Sequence, residues 1–272
     1  MAAPRTYLFV PGNRPERFAK ALGSGADAVV LDLEDAVSAD AKASARAAVH
    51  AWVGAADPND RARAVVRIND AGSPEHAADL QLIAEAGVAE VMLPKAETAD
   101  QVSAVRAAAG PLRVLALIET ARGVEQAAAV AAAEGVTRLV FGTLDLALDL
   151  DLDIEQASDG LGYAAGRLAV ASRVAGLPTP VAGVTPQLGD RARLLADLAW
   201  SRRHGFGAKL CTPPAQVEPI HTALAPDAEA LAWARRVLAA DRAAAGAARL
   251  DGRMIDRPVV LQAARTLARA GH

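Results

Sequence analysis

Short runs of β-branched and other apolar residues recur along the chain, and each is followed by an alanine-rich stretch with helical spacing. Eight such runs occur, at residues 7–10, 28–33, 64–68, 91–93, 114–118, 139–142, 180–184 and 206–211. This alternation is typical of parallel strands joined by crossover helices. Several runs are apolar throughout, as expected for strands that are covered on both faces.

Eight strand–helix units in about 220 residues predict a closed (β/α)₈ TIM barrel, an α/β fold. An open doubly wound sheet is the main alternative. The turn after the first run contains a single glycine, Gly12, and so lacks the glycine-rich phosphate-binding fingerprint of many open sheets. With 52% hydrophobic residues, the chain can fill one large core. We therefore favour the barrel.

The pattern changes near residue 226, which predicts a catalytic barrel domain at 1–225 and a C-terminal helical extension at 226–272. The extension reads as a long helix over 227–245, a glycine-containing break, and a last helix from about Pro258. It is too short for an independent domain. We expect it to bury its apolar face on the barrel or on a neighbouring subunit.

Composition excludes several classes of partner. The 29 basic residues are scattered among 32 acidic ones, without the basic stripe that nucleic acid requires. The longest apolar runs are shorter than the roughly 18 residues of a membrane span. The first ten residues lead straight into a strand without a signal-peptide pattern, so we expect a cytoplasmic protein. The single cysteine, Cys211, is interpreted as a small buried residue.

Charged and polar residues close six successive runs, where the catalytic groups of such barrels lie. They are Asn13 and Arg14, then Asp32, Glu34 and Asp35, then Arg67 and Asn69, then Lys95 and Glu97, then Glu119 and Thr120, and finally Asp145. Any one of the cap-forming types could simply begin a helix. Together they predict a charged mouth, which is costly unless a metal or a ligand compensates the charge.

Glu119 and Asp145 close neighbouring strands and are expected to face the same opening. Two carboxylates, completed by water and substrate oxygens, form the usual Mg²⁺ site. The five histidines show no pair at ligand spacing, which favours oxygen over nitrogen ligation; they are His50, His76, His204, His221 and His272. The sequence therefore predicts a magnesium ion at this mouth.

Arg67 is suited to holding a substrate carboxylate through two parallel hydrogen bonds. The alternative is an ion pair with Glu34 or Asp35, and the two roles are compatible because a carboxylate can orient the arginine for substrate. Arg14 and Lys20 follow the first strand on a short helix. They form either a solvated basic face or a phosphate-binding site.

Several long segments, in this order, resemble the citrate lyase beta-subunit-like branch of the HpcH/HpaI aldolase superfamily. They are LFVPGNRPERFAKAL, VVLDLEDAV, VVRIN, VMLPKAE, ALIETARGV and LVFGTLDLALDL, and the similarity continues through GFGAKLCTPPAQV to DGRMIDRPVV. The resemblance implies a (β/α)₈ barrel, usually a homotrimer, that binds Mg²⁺. It also implies making or breaking a carbon–carbon bond in a 3-hydroxyacyl thioester, commonly of coenzyme A.

By this resemblance Glu119 and Asp145 are the metal ligands, and Arg67 binds the carboxylate of an oxo acid. Glu34 and Asp35 are assigned with Arg67 to the catalytic network. Arg14, Lys20 and Lys95 are assigned to binding of substrate or coenzyme A. The implied partners are thus a small oxo acid and an acyl-CoA.

The leading hypothesis is a Mg²⁺-dependent carbon–carbon lyase that cleaves or forms malyl-CoA, citramalyl-CoA or citryl-CoA. One alternative is an aldolase that acts on free oxo acids without coenzyme A. Another is a non-catalytic or partner-dependent subunit resembling the citrate lyase beta chain.

Four positions depart from the family pattern, all in the last third of the barrel. The segment AAGRL stands where ARSRL is common, which places Ala165 and Gly166 at polar positions. Ala182 replaces an acidic residue of VDGV, and Pro213 replaces the histidine of CIHP. The metal half of the site is unchanged. We expect these departures to shift recognition of the substrate or its carrier. The alternatives are that the four positions are only structural, or that the lyase activity is weakened or lost.

Overall fold

Eight parallel strands form a closed barrel in the computed structural model, which describes residues 3–155, 159–243 and 248–270. The strands pair in chain order, and β8 closes the barrel against β1. They are β1 Thr6–Pro11, β2 Ala28–Asp32, β3 Ala64–Arg67, β4 Glu90–Leu93, β5 Arg113–Ile118, β6 Val136–Phe141, β7 Val181–Ala182 and β8 Ala208–Cys211. The predicted (β/α)₈ barrel is confirmed, and each predicted run overlaps one strand.

Alternate residues of the strands fill the interior of the barrel with apolar side chains. The interior cluster consists of Tyr7, Ala28, Val30, Val65, Met92, Leu115, Leu117, Val140, Val181, Ala208 and Leu210. Because side chains alternate across a strand, the residues between these positions point toward the surrounding helices. Ala182 and Lys209 are two such outward positions, and they are register partners on β7 and β8.

β6 begins three residues before the predicted run, because a buried arginine occupies its first half. Arg138 is 3% exposed and donates hydrogen bonds to the carbonyl oxygens of Pro4 and Thr179, at 2.5 and 2.6 Å. It also donates to the Tyr7 hydroxyl at 3.3 Å. These acceptors offset the cost of burying the charge. A strand position that looks polar in sequence is thereby accommodated.

Helices follow the strands along the chain, and several begin at side-chain caps. They are α1 Phe18–Leu22, α2 Lys42–Ala55, α3 Pro58–Arg63, α4 His76–Ala86, α5 Ala99–Ala109, α6 Ala121–Ala132, α7 Thr143–Asp149, α8 Gly162–Val174, α9 Arg191–Arg203, α10 Val217–Leu224, α11 Ala228–Ala243 and α12 Arg257–Arg269. Thr98 and Gln101 form a capping box on α5, and the Thr120 hydroxyl caps α6. These caps end the loops that carry the site.

The chain divides into two compact units, the barrel at 3–220 and a C-terminal unit that begins at residue 221. Within the second unit, α11 and α12 share a small core of Ala234, Val237, Ile255 and Ala263. The predicted glycine-containing break is in fact an antiparallel hairpin, β9 Ala248–Leu250 with β10 Arg253–Ile255. Residues 244 and 245 of the predicted helix, and His272, lie outside the described residues.

The hairpin turns at Asp251 and Gly252, whose φ angles are +50° and +77°. Asp-Gly is a strong hairpin signal, so the sequence did contain the information that was missed. Among the described helices, none has the length and apolar character needed to cross a membrane.

Candidate active site at the barrel mouth

A cavity of about 330 Å³ opens at the carboxyl ends of the strands. Its apolar floor consists of Phe9, Leu117, Phe141, Val184 and Leu210, and its charged residues are Asp32, Asp35, Arg67, Glu119 and Asp145. All five charged residues are among those that the sequence places at the mouth, although Asp32 is not assigned a role there. The structure therefore brings Arg67, Glu119 and Asp145 to one opening, as predicted from the strand ends.

Glu119 follows β5 directly and is 4% exposed. Its Oε1 accepts a hydrogen bond of 2.9 Å from the backbone N–H of Lys95. Lys95 has a φ of +45°, in the left-handed region that favours glycine, so the turn after β4 is strained where it meets Glu119. Burial, together with the nearby charge of Asp145, raises the pKa of Glu119 to about 7, although the hydrogen bond from Lys95 and the charge of Arg67 oppose this shift.

Asp145 lies in the first turn of α7, where its exposed carboxylate lines the cavity. The helix begins after Gly142, which passes very close to Glu119. A Cβ at Gly142 would lie 2.4 Å from both Cβ and Oε2 of Glu119. Gly142 is therefore required by close approach, and it allows the strand-five carboxylate to lie against the start of α7.

This pair of carboxylates fits a magnesium ion. Both donors are hard oxygen ligands, and the open cavity leaves space for the waters that Mg²⁺ retains. No cluster of three or more histidine, cysteine, aspartate or glutamate residues suited to a metal occurs within 3–155, 159–243 and 248–270. A cation here would thus rely on two protein ligands, and its charge would offset the burial and the repulsion from Asp145 that raise the pKa of Glu119.

Arg67 is held by a carboxylate that the sequence analysis did not identify as its partner. Asp32 and Arg67 are register partners on β2 and β3. The guanidinium donates from Nε and Nη2 to the two oxygens of Asp32, at 2.7 and 2.6 Å. It also lies 4.8 Å above the centre of the Phe9 ring. Asp32 and Phe9 together fix the guanidinium plane at the edge of the cavity.

The two carboxylates predicted to accompany Arg67 occupy different environments. Oε2 of the buried Glu34 lies 2.8 Å from Nη1 of Arg67, an ion pair without hydrogen-bond geometry. Burial raises the pKa of Glu34 to about 8, although Arg67 opposes this shift. Asp35 is exposed, lies 3.5 Å from the same nitrogen and lines the cavity. Glu34 is not among the residues that line it.

A lysine outside the cavity holds the loop after β2. Lys42, at the start of α2, donates to the carbonyl oxygens of Leu33 and Glu34 and to Oδ1 of Asn69, each at 2.7 Å. The Asn69 amide in turn donates to the buried carboxylate of Asp79 at 2.6 Å. The loops after β2 and β3 are thereby tied together. No local pattern in the sequence points to Lys42, since its partners lie on other elements.

The other predicted binding residues lie at or near the surface. Arg14 is exposed and pairs with Glu16 at 2.6 Å. Lys20 is exposed on α1, and the Lys95 ammonium lies 3.6 Å from Asp70. In this arrangement Lys95 supports Glu119 through its backbone. A role of these three side chains in binding coenzyme A stays a prediction.

The four departures from the family pattern lie on or beside β7, β8 and α8. Ala165 is buried on α8, and a Cβ at Gly166 would meet open space. Ala182 is buried beside Lys209, and Pro213 follows the end of β8. Cys211 is fully buried, as predicted, and burial raises the pKa of its thiol to about 12.

The family model for HpcH/HpaI aldolase/citrate lyase matches residues 5–214. The chain belongs to this HpcH/HpaI family. A citrate lyase subunit beta-like protein of Mycobacterium tuberculosis is 38% identical over 285 residues, covering 99% of this chain and 97% of the relative. A (3S)-malyl-CoA thioesterase of Cereibacter sphaeroides is 34% identical over 270 residues, covering 98% of this HpcH/HpaI member and 94% of the relative.

Solved structures give the same relationship. The crystal structure of CitE from M. tuberculosis in complex with magnesium, acetoacetate and coenzyme A matches with a TM-score of 0.89 at 38% identity, covering 100% of this chain and 99% of that one. The citrate lyase beta subunit from M. tuberculosis, complexed with oxaloacetate and magnesium, matches with a TM-score of 0.73 at 36% identity, covering 83% and 98%. Structures homologous to this HpcH/HpaI protein thus hold magnesium beside small oxo acids.

Proposed function

We propose that this protein is a Mg²⁺-dependent carbon–carbon lyase that cleaves or forms a short 3-hydroxyacyl-CoA. The observation that carries the proposal is the grouping of Glu119, Asp145 and Arg67 around one cavity at the mouth of the barrel. The relatives support the ligand classes, because CitE from M. tuberculosis was solved with magnesium, acetoacetate and coenzyme A. Malyl-CoA, citramalyl-CoA and citryl-CoA are the candidate substrates.

Glu119 and Asp145 would hold the ion, and Arg67 would bind the carboxylate of the oxo-acid half. When bound, Mg²⁺ supplies a Lewis acid that stabilises negative charge on the substrate oxygen. Arg67 uses one N–H each of Nε and Nη2 for Asp32, and its Nη1 faces Glu34 and Asp35. A guanidinium carries five N–H groups, so donors remain for a ligand.

Cleavage requires removal of the substrate hydroxyl proton. The carbon–carbon bond then breaks, giving an oxo acid and a thioester enolate that takes up a proton. Of the two predicted carboxylates beside Arg67, we assign removal of the hydroxyl proton to Asp35, because Asp35 lines the cavity. The buried Glu34 is assigned to orienting Arg67, which it contacts at 2.8 Å.

Thioester hydrolysis is a second candidate, favoured by the 34% identity to (3S)-malyl-CoA thioesterases. The two reactions share a substrate but differ in the bond that breaks. A lyase yields an oxo acid and an acyl-CoA, whereas a thioesterase yields a hydroxy acid and free coenzyme A.

One assay separates these candidates. Purified protein is incubated with Mg²⁺ and each of the three thioesters, and both oxo acid and free thiol are quantified over time. The proposal predicts oxo acid without free thiol, and none from the Glu119→Ala variant. Free thiol with hydroxy acid would instead identify a thioesterase. Failure to release either product, or full activity in Glu119→Ala, would contradict the proposed site.

Several expectations accompany this proposal. We propose that the chain works as a homotrimer in the cytoplasm, and that residues 226–272 pack on the barrel or on a neighbouring subunit. Cleavage of a free oxo-acid substrate with no need for coenzyme A would favour the aldolase alternative. Turnover by the isolated chain would exclude a purely non-catalytic subunit.

A further inference from the structure

Lys209 on β8 is a buried cation outside the proposed active site. It is 1% exposed, and its neighbours Ala208 and Leu210 fill the barrel interior, so its side chain points toward the helices. Its ammonium donates to the carbonyl oxygen of Gly183 at 2.7 Å. Within the described ranges it forms no ion pair. An ammonium has three N–H donors, so this single acceptor leaves the group largely unsatisfied.

Asp197, the acidic residue whose charge acts on Lys209, already has two other partners. One oxygen of Asp197 accepts from the Thr185 hydroxyl, and the other pairs with Nε of Arg193, both at 2.7 Å. On β7 the register partner of Lys209 is Ala182, which offers no polar atom from its side chain. Burial lowers the pKa of Lys209 to about 8, against the opposing charge of Asp197. At neutral pH the ammonium therefore remains protonated without a carboxylate of its own.

A cavity of about 250 Å³ lies beside this ammonium, lined in part by Lys209, Gly183, Thr143 and Trp200. Arg67, Glu119 and Asp145 do not line it, although Thr143, Leu144 and Val184 line both this cavity and the mouth cavity. Leu161 and Val184 add apolar surface to its wall. The other charged residues of the lining are Arg193, which pairs with Asp197, and Glu155, which is exposed. The cavity thus combines a buried ammonium that forms no ion pair within the described ranges with an apolar wall.

We propose that this cavity binds a short-chain monocarboxylate, whose carboxylate pairs with Lys209 and whose alkyl chain contacts the apolar wall. A single positive charge matches a monoanion. A phosphate dianion would bring excess charge toward Asp197, so it is disfavoured. This site goes beyond the proposed lyase function and uses none of the residues assigned to it.

The test uses the full chain in the Glu119→Ala background, which removes one proposed metal ligand of the mouth site. Arg67 is present in every protein compared, so a difference that follows Lys209 reports on this cavity alone. Butyrate binding is measured by calorimetric titration, with inorganic phosphate as the comparison. We expect butyrate to bind the Glu119→Ala protein with a measurable heat. Its Kd should be at least about tenfold higher in Glu119→Ala/Lys209→Met. Phosphate should bind at least about tenfold more weakly than butyrate.

A second variant supplies the missing carboxylate within the chain. Ala182→Asp, in the same background, places an acid at the register partner of Lys209 and should compete with butyrate, raising its Kd at least about tenfold. It should also raise the melting temperature. Equal butyrate affinity with and without Lys209, or undetectable binding to the Glu119→Ala parent, would overturn the proposal. Because every protein compared here lacks Glu119, neither result bears on the lyase proposal.

Discussion

Both carboxylate oxygens of Asp32 accept hydrogen bonds from Arg67, at 2.7 and 2.6 Å, across adjacent strands of the barrel. The pair is buried, since Asp32 is 1% exposed. This contact fixes the guanidinium at the edge of the mouth cavity. The proposed grip of Arg67 on an oxo-acid carboxylate therefore depends on a residue that does not itself bind substrate.

Replacing Asp32 with asparagine tests that dependence. Loss of the buried charge that accepts both of these hydrogen bonds from Arg67 should cost about 3 kcal/mol of the free energy of unfolding. Misplacement of the guanidinium should lower kcat/KM about 10–100-fold. Urea denaturation and steady-state kinetics measure the two effects. Lys95→Ala is the stability control, because its ion pair with Asp70 is largely exposed. Unchanged kcat/KM in Asp32→Asn would contradict this role.

Gly142→Ala tests the close approach of α7 to the strand-five carboxylate. The added Cβ would lie 2.4 Å from Oε2 of Glu119 and should displace this proposed ligand. We expect the Mg²⁺ affinity, measured by calorimetry, to fall about 10–100-fold. Gly166→Ala is the matched control, because open space surrounds that position within α8. It should stabilise the protein by up to about 1 kcal/mol and leave Mg²⁺ binding unchanged.

Lys42→Met tests whether the loop after β2 must be held in place. Three carbonyl or amide oxygens lose their ammonium donor, including the backbone oxygen of Glu34. We expect kcat to fall about tenfold or more, with Mg²⁺ affinity unchanged because Glu119 follows β5 and Asp145 lies in α7, away from the loop that Lys42 holds. Lys42→Arg should restore part of the activity.

Arg46→Met separates this positioning role from a general loss of stability. Arg46 lies one turn further along α2 and pairs with Glu75 and the buried Asp79, but makes no hydrogen bond to Leu33 or Glu34. Both variants should lower the melting temperature, whereas only Lys42→Met should lower kcat. An equal fall in kcat for the two variants would show that the effect is merely structural.

The lowered pKa of Lys209 predicts that the free energy of unfolding depends on pH. Its folded-state pKa of about 8 lies below the ordinary value of 10.5. Between these values the unfolded chain retains a proton that the folded chain has released, so the free energy of unfolding rises with pH in this window. The rise should reach about 3 kcal/mol at most and be absent in Lys209→Met. Chemical denaturation at pH 7.5, 9 and 10.5 measures it; parallel curves would contradict the prediction.

Sequence periodicity predicted the barrel because each strand is a local feature. Strand boundaries were less accurate where tertiary contacts intervene: Arg138 is polar, yet carbonyl acceptors allow it to lie buried in β6. The C-terminal hairpin was missed although Asp251 and Gly252 carry a local turn signal. The Asp-Gly pair is therefore enough to predict a hairpin here, and the predicted break between helices was wrong.

The site was predictable as a set of strand ends, but its pairings were not. The sequence offered Glu34 or Asp35 as the partner of Arg67, whereas the closest contacts are to Asp32. That choice depends on the register of β2 against β3, which no local pattern reveals. The support of Glu119 by the backbone of Lys95 was hidden for the same reason, since it requires two adjacent strand ends to meet.

Glu119 and Asp145 are proposed to share one cation within reach of an acid held by Arg67. A crystal soaked with Mn²⁺ and pyruvate, with the metal located by anomalous scattering, tests this arrangement. We predict one peak bonded to oxygens of both carboxylates, with the pyruvate carboxylate hydrogen-bonded to Arg67. A peak that contacts neither carboxylate, or pyruvate bound away from Arg67, would contradict the account.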